Sequence, residues 1–368
     1  MNTCEGYNEL PTIIEDTRSR IIVIGDIHGD YNLALRTLLL GNVIKINKKN
    51  QLRWTGGDTI VVQVGDQVDR CRPTADKTCD LPDATYEDEA SDIKILELFT
   101  RVDRLARKQG GAVYSLLGNH ELMNVLGVMT HVSYKNMMLF GDDYETAFEN
   151  RKEKFKPGSE YSKFLACTRQ SALIIGSNLF LHAGILDQNL EEMDIRKPKD
   201  LERINDKVRQ WLLGNIPNKE VAKLVGDTQN SIFWTRVMGF LPGNLEEQDE
   251  QCHRNIDNVL SVLKIGNIIV GHTPTPYSVD SGISKTCGNK IIRVDTGSSR
   301  AFNVMNYEKY TEQRLPQILI IENDTEYIIR KAQSLSADDF VDEEFEDGDI
   351  IQFDIEDMTP DALKQLSI

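Results

Sequence analysis

Five short apolar runs govern what this chain can fold into, because each of them stops at a polar cluster. They are RIIVIGDIHGD (20–30), TIVVQVGDQVDR (59–70), GAVYSLLGNHE (111–121), NLFLHAGI (178–185) and NIIVGHTP (267–274). Runs of this length, rich in Val and Ile, read as strands buried on both faces. Helical patterns separate the first three: YNLALRTLLLG (31–41) and ASDIKILELFTRVDRLARKQG (90–110), the second closing on Lys108 and Gly110. Strand–helix–strand alternation predicts βαβ units, and open α/β sheets bind ligands beyond the carboxyl ends of their strands. The polar clusters therefore fall where an α/β fold builds its site.

One cluster, VGDQVDRC (64–71), shows why a turn is too little to explain them. Gly65 and Asp66 supply the turn, which leaves Asp69 and Arg70 unexplained. A helix start, with Asp66 as N-cap and Asp69 in the first turn, is the structural alternative. Collected over all five runs, the polar residues are Asp26, His28, Asp66, Asn119, His182 and His272. Three imidazoles, two carboxylates and an amide oxygen, with no thiolate, suit manganese, iron or zinc. Six ligands exceed one tetrahedral ion with an open position. They fit two ions that share a carboxylate, about 3.5–4 Å apart. Gly25, Gly65, Gly118 and Gly271 directly precede four of the six, and a missing Cβ permits close backbone approach.

Composition narrows the partners. The 368 residues carry a formal net charge of -16, which argues against nucleic acid and against an anionic membrane. The longest apolar runs are strand-sized, and the first twenty residues show no readable signal peptide. Six cysteines without a C-x-x-C pair are expected to be free thiols of a cytoplasmic protein; Cys71 and Cys79 bracket a loop that would pair in an oxidising compartment. YETAFENRKEKF and KDLERINDKVRQWLLGN read as helices without obvious chemistry. Gly176-Ser177 and Asn323-Asp324 read as hairpin turns. From Ser336 the chain turns acidic. The expected organisation is a catalytic domain over 18–335 and a solvated or partly disordered tail over 336–368, dispensable for chemistry.

GDIHGD, GDQVDR, GNHE, the histidine of LHAG and GHTP together resemble the metallophosphoesterase superfamily, and within it the phosphoprotein-phosphatase branch with its GDxHG…GDxxDRG…GNHE pattern. RWTGGDTIVVQVGDQVDR and GGAVYSLLGNHELMNVLG are most similar to the Shewanella-like protein phosphatases. The similarity covers about residues 20 to 300. It implies a calcineurin-like α/β fold, a β-sandwich flanked by helices with metals at the C-terminal strand ends. It puts one metal on Asp26, His28 and a bridging Asp66, and a second on Asp66, Asn119, His182 and His272. His120 matches the family's proton donor, Asp69 the carboxylate paired with it, and Arg70 its phosphate-binding arginine. Asn119 also lies on the phosphate side. Arg236, in FWTRVMG, is a candidate second clamp, with a surface arginine as the alternative.

The implied activity is hydrolysis of phosphomonoesters on phosphoproteins, at phosphoserine, phosphothreonine or phosphotyrosine. Water activated by two divalent or trivalent ions of manganese, iron or zinc attacks directly. The expected partner is a phosphorylated protein, with no nucleic acid and no membrane, and a regulatory role for the acidic tail. Alternatives are a dinucleoside-polyphosphate hydrolase or other small-molecule phosphoesterase, and a scaffold without chemistry, which need not keep His120, Asp69 and Arg70.

The chain departs from the family pattern at several points. DRG is DRC here, and Cys71 opens an inserted segment, CRPTADKTCDLPDATYEDEA (71–90), beside the phosphate site. GHTP lacks the further histidine two places on, and no SAPNY segment occurs; DTGSS (295–299) occupies that region. Glu121 is expected as a hydrogen-bond acceptor, Asp295 as a turn former and Asp30 as a helix cap. His131 and His253 are expected to be structural or exposed.

Overall fold

Ile21 and Val23 face one side of their strand, Ile22 and Ile24 the other, and all four are buried. That period-two alternation with no polar face requires layers on both sides of a sheet. In the computed structural model, which describes residues 2–15, 19–275, 282–304, 315–332, 340–341 and 350–352, the layers are two sheets and flanking helices. The strands begin with β1 (Ile13–Ile14), β2 (Ile21–Ile24), β3 (Ile44–Asn47), β4 (Gln51–Trp54), β5 (Ile60–Gln63) and β6 (Ala112–Leu116). They continue with β7 (Arg169–Gln170), β8 (Ala172–Ile175), β9 (Asn178–Leu181), β10 (Asn267–Val270), β11 (Ser284–Thr286) and β12 (Ile291–Arg293). The last are β13 (Gln317–Glu322), β14 (Glu326–Lys331), β15 (Phe340–Val341) and β16 (Ile351–Gln352).

One sheet runs β14-β13-β2-β5-β6-β7, with β2, β5, β6 and β7 parallel. The other runs β1-β8-β9-β10-β12-β11, with β9, β10 and β12 parallel. Their inner faces interdigitate through Val23, Val62 and Tyr114 on one side and Leu173, Phe180, Ile269 and Ile292 on the other. Outside the first sheet, Ile22, Ile24, Val61 and Val113 pack against α1 (Tyr31–Leu40) and α2 (Asp92–Arg107). Outside the second, Leu179, Leu181, Ile268 and Val270 meet the helices Leu201–Leu212 and Glu250–Leu263. This is the flanked α/β sandwich expected from the sequence.

Local expectations mostly hold. Asp30 caps α1, its side chain accepting Leu33 N–H at 3.0 Å. Gly176-Ser177 turns β8 back onto β9, and Asn323-Asp324 opens the return from β13 to β14. Two expectations fail. No helix starts at Asp66: residues 64–71 form a loop in which Asp66 and Asp69 adopt φ of 53° and 72°, whereas an N-cap is extended. The cysteines are not free thiols either. Cys4–Cys167, Cys71–Cys79 and Cys252–Cys287 are disulfides, with Cα atoms 5.2, 5.9 and 5.6 Å apart, the separation a bridge needs.

A third, small sheet (β15-β3-β4-β16) draws two pieces of the acidic segment onto the β3–β4 hairpin. Ile351, only 2% exposed, joins the cluster that holds Leu52 and Trp54. Most of the segment lies outside the described residues, but Ile351 is packed rather than solvated. Ile351→Ala is therefore expected to cost about 2–5 kcal/mol, the usual range for truncating a buried aliphatic chain. A lowered urea midpoint with an unchanged slope is the expected reading; an unchanged midpoint would show that the packing contributes nothing.

Candidate metal centre

The carboxyl ends of β2, β5, β6, β9 and β10 meet along one edge of the sandwich. They deliver Asp26, His28, Asp66, Asn119, His182 and His272 into one buried cluster. Asp66 lies at its centre. Its Oδ2 is 3.3 Å from His182 Nε2, 3.7 Å from His28 Nε2 and 4.0 Å from His120 Nε2. Asp26 Oδ2 is 3.8 Å from His28 Nε2 and accepts the His272 N–H at 3.0 Å. Two groups of potential ligand atoms, His28–Asp66–His120 and Asp66–His182–His272, share the Asp66 carboxylate.

The positions of the protons decide what this cluster can hold. His182 Nδ1 lies 2.8 Å from Val64 O, so its N–H points there and Nε2 keeps a lone pair. His272 Nε2 lies 3.0 Å from Trp234 O, which leaves the lone pair on Nδ1. Both lone pairs face Asn119 Oδ1 at 2.9 Å, and the Asn119 amide nitrogen turns away toward Met123 Sδ. With both rings neutral, three acceptors and a carboxylate converge with no N–H among them. Such a set is costly when buried and suits a cation. Burial opposes a charge on His182, yet the Asp66 charge raises its pKa, which shows how strongly the spot attracts a positive charge. The surrounding charge points the same way. Burial pushes the Asp26 carboxyl well above its ordinary range, and the Asp295 and Asp66 charges add to that. Burial likewise raises Asp295 to about 6; its Oδ1 accepts Gly297 N–H at 2.9 Å, the turn expected of it, and its Oδ2 is buried without a partner.

Holding these groups together strains the backbone. His28, Asp66, Asp69 and His272 have φ of 47°, 53°, 72° and 67°, a region that costs non-glycine residues on the order of 1–3 kcal/mol. Glu121 is the clasp that fixes the Asp66 turn. Its Oε2 accepts Asp66 N–H at 3.0 Å and Gly118 N–H at 2.7 Å, and its Oε1 accepts Gln67 N–H at 2.7 Å and Val68 N–H at 3.2 Å. Gly118 and Gly271 are there for clearance. A Cβ at either would lie 2.2 Å from a carboxylate oxygen, of Asp66 and Asp26 respectively.

His120 begins the second residue of α3 (Asn119–Val125), and its N–H donates to Asp66 Oδ1 at 3.0 Å. Its Nδ1 is 2.8 Å from Asp69 Oδ2. Burial opposes the charge on Asp69, but the His120 bond and charge, Arg151 and Asn124 together hold its carboxyl below the usual range. A closed ring of buried polar groups supports it. Asn124 Nδ2 donates to Asp69 Oδ1 at 2.8 Å, Arg151 Nε to Asn124 Oδ1 at 2.9 Å, Arg151 Nη2 to Asp92 Oδ2 at 2.8 Å, and Asp69 N to Asp92 Oδ1 at 3.1 Å. No local pattern in the sequence marks this ring, because Arg151 and Asp92 sit in helices far apart along the chain.

A cavity of about 1100 Å³ opens over the cluster, lined among others by His28, His120, Arg72, Arg236, Trp234 and Phe302. Arg236 is exposed at its rim and donates from Nη1 to His272 O at 3.0 Å. Arg70 is not brought there. It is wholly buried, its Nη1 3.0 Å from Asp30 Oδ2 and its Nη2 turned to Tyr86 O and Glu87 O at 3.4 Å. Arg72, which the sequence reading passed over, lines the cavity in its stead. His131 also lines it, its ring 5.0 Å from that of His120, while His253 is exposed and pairs with Asp257.

Comparison with known proteins agrees with this geometry. Residues 19–276 match the family model of the calcineurin-like phosphoesterases. A protein of Acanthamoeba polyphaga mimivirus is 40% identical over 244 residues, 61% of this chain and 94% of its own. Shewanella-like protein phosphatase 2 of Arabidopsis thaliana is 26% identical over 357 residues, covering 86% of this chain and 79% of the relative. The solved cold-active protein-tyrosine phosphatase of a psychrophilic Shewanella species superposes with a TM-score of 0.60 at 20% identity, over 87% of this chain and 80% of that one. The last likeness is one of fold.

The ring behind Asp69 yields a stability prediction. Arg151→Met leaves Asp92 buried without its cation and is expected to cost about 3–5 kcal/mol. Adding Asp92→Asn should recover part of that loss, as a double-mutant cycle in urea measures. Strict additivity of the two losses would show that the pair is not coupled.

Proposed function

We propose that this chain, which belongs to the calcineurin-like phosphoesterase family and is a phosphoric monoester hydrolase, acts on phosphoproteins with two metal ions held at the strand ends. The observation that carries this reading is the convergence of Asn119 Oδ1, His182 Nε2, His272 Nδ1 and Asp66 Oδ2, with the other nitrogen of each ring turned to a main-chain carbonyl. Asp26, His28 and Asp66 suit a first ion, and Asp66, Asn119, His182 and His272 a second. Manganese, iron and zinc are the metals this donor set favours. Bound there, two such ions would screen the phosphate dianion and make a water acidic enough to attack near neutral pH.

His120 supplies the proton to the departing oxygen. Its Nδ1 is engaged with Asp69, which leaves Nε2, beside Asp66 and on the cavity wall, to carry that proton. Asp69, held in turn by Asn124 and Asp92, keeps the ring from rotating. Arg236 and Asn119 lie on the side from which a phosphate would enter. A protein substrate is supported by the name of the Arabidopsis relative and by the exposed Leu126, Val128 and Phe240 at the rim, which suit side chains flanking a phosphorylated residue. The catalytic unit is then 18–335, and the acidic segment from Ser336 regulates rather than catalyses, since β15 and β16 join strands that bring nothing to the cluster. Among the described residues no helix is long and apolar enough to cross a membrane. Pairing of all six cysteines supports an oxidising compartment over the cytoplasm.

Two measurements test this reading. Elemental analysis is expected to find about two transition ions per chain, and Asp66→Asn should lose activity and most of the metal, because both ions lose a shared charge. Full metal and near-normal turnover in that variant would sink the bridging role. His120→Asn should slow phosphoserine peptide by about 10²–10⁴-fold, the range of general-acid catalysis, and a nitrophenyl ester clearly less, since nitrophenolate leaves without a proton. Equal losses on both substrates, with metals still bound, would rule out His120 as the proton donor.

A further inference from the structure

We propose that Arg72, rather than Arg70, is the guanidinium that holds the substrate phosphate, an inference that rests on the phosphatase reading above. Arg72 is only 7% exposed, yet it lines the cavity beside His28 and His120. Its Nη1 donates to two main-chain oxygens, Asp69 O at 3.0 Å and Cys71 O at 2.9 Å. Its guanidinium carbon lies 4.7 Å from the centre of the Phe302 ring. These contacts fix the position and the plane of the group. They leave Nε and Nη2, the two nitrogens of one edge, without a hydrogen bond among the described residues. That edge is the fork which binds two oxygens of a phosphate at once.

The charges around Arg72 fit the same role. Asp66, Asp69, Asp295 and Asp26 all attract it, but none forms an ion pair with it among the described residues. A guanidinium buried this far without an ion pair is costly, and an incoming phosphate would offset that cost. Arg70 faces inward instead, although its Nε and Nη1 also lack a hydrogen bond among the described residues. It is closed into the interior against Asp30, which also accepts Arg300 N at 2.8 Å, Nε at 3.1 Å and Nη2 at 2.8 Å. Turning Arg70 toward the cavity would break a buried ion pair, so its work is to neutralise the carboxylate that caps α1.

The inserted segment explains the exchange. Cys71 is bridged to Cys79, and the two pack with Ala84 into a small buried cluster of their own. Cys71 N–H is tied to His131 O at 3.0 Å. The residue after Cys71 is therefore held at the cavity wall from both sides, and that residue is an arginine.

The test uses the metal-loaded full chain and inorganic phosphate as the probe, with affinity read by calorimetry. Arg72→Met is expected to weaken phosphate by about 10- to 100-fold, the worth of hydrogen bonds to a charged group. KM for an aryl phosphate should rise in parallel, with metal content and melting temperature held. Arg72→Lys should fall between, keeping charge but losing the fork. Arg70→Met should lower the melting temperature and leave phosphate affinity near wild type. Unchanged phosphate affinity in Arg72→Met overturns the proposal, as does a loss of affinity in Arg70→Met at an unchanged melting temperature. Should Arg72→Met not fold, Arg72→Gln replaces it, and undiminished affinity there overturns the proposal equally. A wild type that binds phosphate through Arg72 but hydrolyses no phosphomonoester would instead refute the phosphatase reading alone.

Discussion

The imidazoles of His182 and His272, each 2.9 Å from Asn119 Oδ1 beside the Asp66 carboxylate, set the terms for the rest of the structure. Groups of like polarity do not gather in a protein interior unless the fold forces them there. The force comes from the sandwich core. Strands of two sheets, packed through Val62, Phe180 and Ile269, end at a common edge, so the loops that follow have nowhere else to go. The left-handed backbone of His28, Asp66, Asp69 and His272 is what that crowding costs locally. Glu121 offsets it with four backbone hydrogen bonds, and glycine at 118 and 271 makes room for the carboxylates.

Charge is distributed with the same economy. Three buried arginines near the site are paired differently. Arg151 neutralises Asp92 and, through Asn124, steadies Asp69. Arg70 neutralises Asp30. Arg72 has no such partner among the described residues, and it alone of the three lines the cavity. In a low-dielectric site an arginine already paired is a poor anion receptor, because the paired carboxylate would have to be left behind.

Much of this was legible in the sequence, for a definite reason. A strand buried on both faces shows as an unbroken apolar run, and a ligand at its end shows as glycine followed by Asp, Asn or His. Asp26, His28, Asp66, Asn119, His182 and His272 were therefore readable one by one, and the structure brings them together. Asp30 was readable too, since it caps backbone three residues on, and Glu121 was readable as an acceptor, although three of its four N–H partners lie 53 to 55 residues away. What escaped was contact between distant elements. Nothing in YETAFENRKEKF tells Arg151 from its exposed neighbours Lys152 and Lys154, because its burial depends on where the helix docks. The bridge between Cys4 and Cys167 spans 163 residues, beyond any local pattern.

Arg70 marks the boundary between these two kinds of information. A motif fixes which residue types sit at a strand end, but the direction of a long side chain is decided by its neighbours. Here Asp30 and Arg300 close around Arg70, while the bridged loop after it turns the arginine two residues on toward the cavity. The insertion at 71–90 thus does more than border the cavity. It replaces the glycine that would let the loop leave the site with a cysteine that ties it down. A tied loop can present a rigid guanidinium, pre-oriented by main-chain oxygens and an aromatic face, and so bind an oxyanion without ordering a mobile side chain first.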